Sequence, residues 1–314
     1  MFRIVDRRYW FFLLSALVLL PGLISLVVNG LPRAIDFTGG AFWEVEFESA
    51  DALTEAGLRE VYADLGLGVA QVVMVEGEGA ETGGRRVQMR SIDIEPAEKE
   101  ALAEALAERF GAFTELRFDS VGPAVGQEVT RKAAMAVAMA AIGIMIYLTI
   151  QFRNVPHPVR YGVCAIVALV HDVIAVVGLA SLVGYFRGWE VDALFLTAVL
   201  TVIGFSVHDS IVVFDRIREN VTRMRGLKFE RIVNHSIMQT LNRSINTQLT
   251  ALFALAAVFT YSDGQLERFT FWLMIGLISG TYSSLFNAAP LLVVWENREW
   301  RRWFGRGGKS PAAA

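Results

Sequence analysis

Six runs of apolar residues, each long enough to cross a bilayer, constrain this chain more than any other feature. A membrane-spanning helix needs about 17–25 predominantly apolar residues. Of the 314 residues, 54% are hydrophobic and only 19% are charged, which is less charge than a soluble domain of this length exposes. The pattern predicts a polytopic α-helical membrane protein. Its six transmembrane helices are expected at residues 9–28, 133–150, 161–185, 193–214, 245–261 and 269–295.

The distribution of Lys and Arg predicts how these helices are oriented. Cytoplasmic loops of membrane proteins carry an excess of both residues. Here one set of loops and termini is strongly basic, whereas the opposite short loops hold only Arg187 and Arg268. We therefore expect both termini in the cytoplasm and the segment between the first two helices outside it. The basic set comprises Arg3, Arg7, Arg8, Arg153, Arg160, Arg216, Arg218, Arg223, Arg225, Lys228, Arg231, Arg243, Arg298, Arg301, Arg302, Arg306 and Lys309.

The same pattern divides the chain into four parts. Residues 1–29 form the cytoplasmic N-terminus and the first helix, which we expect to be retained because no A-x-A-like cleavage site follows it. Residues 30–130 form an extracytoplasmic domain, residues 131–296 hold transmembrane helices 2–6, and residues 297–314 form a basic cytoplasmic tail.

The outer segment has the composition of a soluble domain. Apolar and polar residues alternate as in half-buried strands, and two stretches have helical spacing. This predicts the order β-α-β-β-α-β, a ferredoxin-like α+β domain. The segment contains no histidine, no nucleophile–base pair and no metal-ligand cluster, so we expect a binding or lever domain rather than an enzyme. The predicted elements are residues 42–47, 52–65, 69–75, 86–92, 96–110 and 113–121.

Composition also excludes several function classes. The net charge is -3, so no global basic surface points to nucleic acid. Cys164 is the single cysteine, which excludes internal disulfides and cysteine-rich metal sites. The chain has no Walker motif, so ATP is not the expected energy source. We expect no metal and no cofactor, with protons as the coupling ion.

Ionisable residues inside the apolar runs are the candidates for function. A charged side chain at mid-membrane costs about 2.5–3.5 kcal/mol on insertion scales. Asp209 is the sharpest case, because it lies inside the fourth run on a helix of otherwise apolar character. The candidates and their polar neighbours are His171, Asp172, His208, Asp209, Arg243, Asn246, Thr247 and Gln248.

Two interpretations of Asp209 follow. It could be a static ion, paired with Arg243, that holds neighbouring helices in register. It could instead carry a proton, because a carboxylate in a low-dielectric site can be neutralised and a nearby Arg favours its charged form. We favour the proton carrier, with Arg243 as its switching partner. Asp215 lies at the membrane boundary beside Arg216 and Arg218, and a local ion pair is expected there.

Several motifs resemble those of the SecF family, membrane subunits of the bacterial Sec protein-export machinery. Asp36-Phe37-Thr38-Gly39-Gly40 resembles the signature that follows the first helix in that family. Residues 121–126 resemble the signature before the second helix, residues 209–220 the run in the fourth, and residues 241–247 the run that opens the fifth. The matches are ordered over nearly the whole chain.

The resemblance implies a role that periodicity does not indicate. Members of the family pair with SecD in a twelve-helix assembly related to resistance-nodulation-division transporters. They act beside the SecYEG channel in the bacterial inner membrane and use the proton gradient to help export preproteins. The implied partners are SecD, SecYEG, YajC, YidC, the translocating preprotein and membrane lipids.

Residue by residue, Asp209 and Arg243 match the proton-pathway residues of the family. One departure is His208, where the family usually has Asn. The imidazole could titrate beside Asp209 or replace the hydrogen bond of the amide, and we favour replacement. Two rival functions stay open: a subunit of a proton-driven small-molecule or lipid exporter of the same superfamily, and a structural assembly factor that uses no protons.

Overall fold

The computed structural model describes residues 3–48, 53–75, 85–92, 94, 96–153, 155 and 157–299, so most of the predicted tail, from residue 300, lies outside the described part. The helices are α1 (Arg8–Val28), α2 (Ile35–Thr38), α3 (Glu55–Asp64), α4 (Pro96–Phe110), α5 (Pro123–Gln151), α6 (Pro158–Arg187), α7 (Ala193–Arg223), α8 (Phe229–Tyr261), α9 (Gly264–Ser283) and α10 (Ala289–Glu296). The strands are β1 (Gly40–Phe47), β2 (Val69–Val75), β3 (Arg85–Ser91) and β4 (Phe113–Val121).

Six helical segments of the described chain are long and apolar enough to cross a membrane, as predicted. Two of them continue well beyond their apolar runs. Helix α7 ends at Arg223 and α8 begins at Phe229, so most of the basic stretch between the fourth and fifth runs is helical. Charged residues in this stretch pair along the helix surface, which stabilises an exposed helix. The predicted local pairing of Asp215 is confirmed, since Arg218 Nη2 lies 2.6 Å from Asp215 Oδ1.

The chain divides into two compact units, residues 1–32 with 135–314 and residues 33–134. In the first unit, the most buried of the spanning segments are α6, α7 and the last one, Gly264–Glu296, which contains α9 and α10. Neighbouring helices of this unit approach each other closely where one of them carries a glycine. A Cβ atom at Gly22 of α1 would lie 2.8 Å from the backbone of Gly178 in α6. One at Gly276 of α9 would overlap Val202 of α7.

A π-helical turn at Ser284–Ala288 joins α9 to α10. Its side chains are mostly buried, and the amide of Asn287 donates to Ser15 Oγ at 2.8 Å. Single π turns within longer helices occur frequently at functional sites. This turn lies one residue after Ser283, which contributes to the buried polar cluster described below.

The second unit has the predicted ferredoxin-like order. Its four antiparallel strands lie in the order β2-β3-β1-β4. Alternate residues of β1, among them Trp43, Val45 and Phe47, are fully buried. They pack with Leu58 of α3 and Leu106 of α4 in one hydrophobic cluster. The strict alternation in the sequence thus reflects a sheet with one covered face.

Two of the signature motifs contact each other in this unit. Gly39 and Gly40 have φ angles of +74° and +119°, which L side chains rarely adopt. A Cβ atom on Gly39 would lie 2.6 Å from Pro123 Cα, and one on Gly126 would lie 2.7 Å from Gly39 N. The hydroxyl of Thr130 donates to the Phe37 carbonyl at 3.1 Å. The glycines are therefore required by backbone contact between the segment before β1 and the start of α5.

Candidate functional site

Asp209 is buried in the interface between α7 and α8, with 4% of its surface exposed. It lies five residues before the end of its apolar run, about 7.5 Å along the helix axis. Its partner is Gln248, whose amide Nε2 donates to Asp209 Oδ2 at 2.6 Å. Gln248 is also buried, and its Oε1 has no hydrogen-bond partner among the described residues.

Asp172 on α6 is the second buried carboxylate, with 1% of its surface exposed. Three serine hydroxyls donate to it, from Ser206 at 2.6 Å, Ser279 at 2.7 Å and Ser283 at 2.6 Å. Ser206 and Ser283 bond Oδ2, whereas Ser279 bonds Oδ1, and the ring Nδ1 of His171 lies 3.0 Å from Oδ1 as well. Both oxygens of the carboxylate are therefore engaged by side chains of neighbouring residues.

Serine side chains link the surroundings of the two carboxylates. Ser284 donates to the Ser206 carbonyl at 3.2 Å, and its Oγ lies 3.1 Å from Ser210 Oγ. Ser210 directly follows Asp209, while the Ser206 hydroxyl bonds Asp172. The links pass through a backbone carbonyl, so they fix helix positions rather than form a continuous row of hydroxyls.

Arg243 lies on a different face of α8 from Gln248. Five residues separate the two, which is about 140° around a helix, and Arg243 is exposed whereas Gln248 is buried. In the described part of the chain, the guanidinium of Arg243 makes no hydrogen bond or ion pair. The expected contact between Asp209 and Arg243 is therefore absent from this structure, and an amide occupies that position.

Asn246, Thr247 and Thr250 share the exposed face of α8 with Arg243. Both threonine hydroxyls donate to carbonyls of their own helix, to Arg243 and Asn246 respectively, at 2.9 Å. The guanidinium and the Asn246 side chain remain exposed. We call the four residues the polar stripe of α8.

The two histidines near the carboxylates differ in their contacts. His171 contacts Asp172 and stacks on Tyr282, with ring centroids 6.3 Å apart. His208 is exposed, and its ring makes no hydrogen bond to any residue that the structure describes. The expected replacement of an amide hydrogen bond by His208 is therefore not seen within this chain.

The sequence interpretation missed the donors. Ser206, Ser279 and Ser283 are not among the candidates, although serines four residues apart in an apolar helix are a usable signal. Gln248 is named there only as a polar neighbour of Arg243. The signature residues Asp36, Phe37, Thr38, Gly39 and Gly40 belong to the second unit, where Phe37, Thr38 and Gly39 lie against Pro123 and Gly126.

The geometry of Asp209 accommodates two protonation states. The amide of Gln248 donates to a carboxylate, and after rotation by 180° its unpaired oxygen could accept from a carboxylic acid. Asp172 contacts three serine hydroxyls and an imidazole nitrogen instead of an amide. The two carboxylates thus differ in chemistry although both are buried among the same helices.

Comparison with known proteins gives a consistent result. Residues 101–298 match the family model described as protein export membrane protein SecD/SecF, C-terminal. The chain is 49% identical to protein translocase subunit SecF of Anaerolinea thermophila, over the full length of both chains. It is 33% identical to protein translocase subunit SecDF of Bacillus subtilis, covering 95% of this chain and 38% of that protein.

A solved structure has the same fold. The crystal structure of SecDF from Thermus thermophilus, titled a translocon-associated membrane protein, matches with a TM-score of 0.77 and 30% identity. The match covers 95% of this chain and 39% of that one.

Proposed function

The chain belongs to the SecD/SecF family of protein-export membrane proteins, and from that premise we propose that it acts as a SecF-type subunit of a bacterial protein translocase. In this role it works with SecD and uses the proton motive force to promote export of preproteins through SecYEG. The observation that carries the coupling proposal is the Asp209–Gln248 pair, buried in a membrane-spanning helix. The subunit is a transport component, without catalysis of its own.

Asp209 is proposed as the residue that takes up and releases the proton. Neutralising it removes the cost of a charge in the membrane, and a rotation of the Gln248 amide satisfies the new hydroxyl. One elementary charge crossing 100 mV yields about 2.3 kcal/mol, which shifts a two-state equilibrium about fifty-fold. That shift is large enough to drive a conformational cycle that moves the domain of residues 30–130.

Asp172 is proposed as the supporting anchor rather than a second carrier. Its hydrogen-bond partners come from α6, α7 and α9, so the carboxylate holds three helices together. His171 completes the donor set. In this proposal Asp172 keeps its hydrogen bonds throughout, whereas Asp209 takes up and releases the proton.

The polar stripe of α8 is proposed as the surface that SecD covers. A guanidinium facing lipid is costly, so Arg243 and Asn246 require a partner or water on that side. Relatives named SecDF are more than twice as long as the matched segment, which supports a SecD partnership. His208 is exposed and lies close to the same site, and SecD would cover it too.

The same proposal includes the orientation of the chain in the membrane and its further partners. The basic loops favour cytoplasmic termini in a bacterial inner membrane, with residues 30–130 outside. SecYEG, YajC, YidC and the preprotein are the further proposed partners. The rival exporter of small molecules or lipids has weaker support, because relatives matched over their full length are named protein translocase subunits.

An export assay tests the proposed function. Cells depleted of their own SecF should recover export of a secreted precursor when they produce this chain together with its cognate SecD. The export that is recovered in this way should be lost when an uncoupler collapses the proton gradient. Recovery that resists the uncoupler would indicate an assembly factor, and efflux of a small dye without precursor export would indicate the rival exporter.

Replacement of Arg243 tests its switching role. We expect Arg243→Gln and Arg243→Lys each to lower gradient-dependent export about 5- to 150-fold, the range of typical coupling free energies. Lysine should fail as well because it cannot present the planar fork of the guanidinium. Arg225→Gln, an exposed cation of the α7–α8 connection, is the matched control and should leave export unchanged. A silent Arg243→Lys would remove the switching role.

A further inference from the structure

A cavity of about 680 Å³ opens between the start of the chain and the connection from α7 to α8. The N-terminal residues, from Arg3 to Arg8, form one wall, and residues from Met224 to His235 form the other. Its volume is in the range of small-ligand sites. It lies apart from the buried carboxylates, and nothing in the proposed coupling uses it. We call it the basic pocket.

Cations outnumber acids in the lining of the basic pocket. The lining includes Arg3, Arg8, Lys228 and Arg231, against Asp6 and Glu230. Glu230 also accepts a hydrogen bond from Asn297 at 2.8 Å, which engages one of the two carboxylates with the chain itself. The pocket therefore carries a net positive charge.

Two of the four cations are already engaged within the chain. The Nη2 atom of Arg8 lies 2.5 Å from Glu299 Oε1, and a second nitrogen of the same guanidinium donates to Oε2 at 3.2 Å. Arg3 has a looser, exposed contact with Asp6 at 3.6 Å.

Lys228 and Arg231 are the available cations. Both are exposed, and neither side chain has a hydrogen bond or ion pair within the described residues. They stand three residues apart at the beginning of α8, so they lie on one face of the helix. Together they present an ammonium and a planar guanidinium to the same opening.

The pocket also has an apolar side. Met224 and Leu227 line it next to Lys228, and Leu227 is 48% exposed. Arg8 is the first residue of α1, directly before the first apolar run. A ligand held here would have its charged part among the cations and its apolar part against Met224 and Leu227, beside the residue that begins α1.

We propose that the basic pocket binds the phosphate headgroup of an anionic phospholipid on the side of the membrane that holds the chain termini. Lysine and arginine are the side chains that bind phosphate, and basic pockets between membrane helices suit anionic headgroups. An acidic protein segment shares the charge but has no use for the apolar side or for a position at the membrane boundary. This proposal does not depend on the coupling role of Asp209.

Lipid binding to the purified full chain tests the proposal. Native mass spectrometry in detergent should detect phosphatidylglycerol bound at least tenfold more tightly than phosphatidylcholine, and this comparison needs no variant. The double variant Lys228→Gln/Arg231→Gln should weaken phosphatidylglycerol binding about thirty-fold. Arg223→Gln/Arg225→Gln removes the same charge from the same connection outside the pocket and should change binding less than about twofold.

Several outcomes would overturn the proposal. Equal losses in the two double variants would show that only the general surface charge matters. Equal binding of the two lipids would remove the headgroup assignment. Inorganic phosphate that displaces the lipid at similar concentration would identify a site for soluble phosphate, and a poly-glutamate peptide that binds as tightly would identify a protein-docking surface.

Discussion

Asp209→Asn is expected to abolish gradient-dependent export while leaving the protein folded and assembled with SecD. Asparagine has nearly the same volume as aspartate and can still accept the hydrogen bond from Gln248. It cannot exchange a proton, so the gradient loses its point of action, and the bias of about fifty-fold that 100 mV gives to the conformational equilibrium is lost. The measurement is precursor export with and without an uncoupler, alongside co-purification with SecD.

Asp215→Asn is the matched control for this experiment. Asp215 is on the same helix, but it is half-buried and pairs with Arg218 beyond the apolar run. Its replacement removes the same charge from α7 and should leave uncoupler-sensitive export within about twofold, because exposed ion pairs contribute little. If Asp209→Asn retained gradient-dependent export, the proton would have to use another group.

The membrane part of the fold could be predicted because its cause is local. A bilayer demands a long apolar run for each helix, and that requirement can be found in the sequence without knowing which helices touch. The lengths of α7 and α8 are harder to predict. Charged residues beyond its apolar run continue α7 through pairs such as Arg223–Glu219, and α8 begins at Phe229, well before the fifth run. The apolar composition of a run therefore predicts where the membrane ends, but it does not predict where the helix ends.

The partner of Asp209 could not be predicted for a rotational reason. Arg243 and Gln248 are both polar and both near the start of the fifth run, but they lie about 140° apart around α8. Which of them faces α7 depends on how the whole helix packs, and burial of Ser244 and Gln248 decides it. The charge of Arg243 makes it the predicted partner of Asp209, whereas the neutral amide of Gln248 lies against the carboxylate.

The donors around Asp172 illustrate a second limit. Ser279 and Ser283 are 107 and 111 residues away in sequence, so only tertiary structure brings them to α6. Serine in a helix also commonly bonds the carbonyl four residues earlier, which makes its presence ambiguous. Ser283 combines the carboxylate bond with a related local contact, since its Oγ also lies 3.2 Å from the carbonyl of Gly280, three residues earlier. A carboxylate within an apolar run therefore predicts that hydrogen-bond donors surround it, but the sequence does not show which residues they are.

Asp172→Ala is expected to damage folding rather than coupling. It leaves the hydroxyls of Ser206, Ser279 and Ser283 and the ring of His171 facing a buried space. Removing one side of a buried, hydrogen-bonded charge cluster costs about 3–5 kcal/mol. For a unit of this size that lowers the melting temperature by about 6–20 °C. The measurement is thermal unfolding of the detergent-purified chain, together with its amount in membranes.

Two further variants separate anchoring from proton transfer at Asp172. Ser279→Ala removes a single donor and should cost only about 1 kcal/mol, a graded control for the alanine variant. Asp172→Asn keeps the side-chain volume and part of the hydrogen bonding, so it should melt between the two. Its remaining folded population should still show uncoupler-sensitive export, because Asp209 is intact. An Asp172→Asn protein that melted like the unmodified chain but lost gradient dependence would place a moving proton on Asp172 and contradict the division of roles between the two carboxylates.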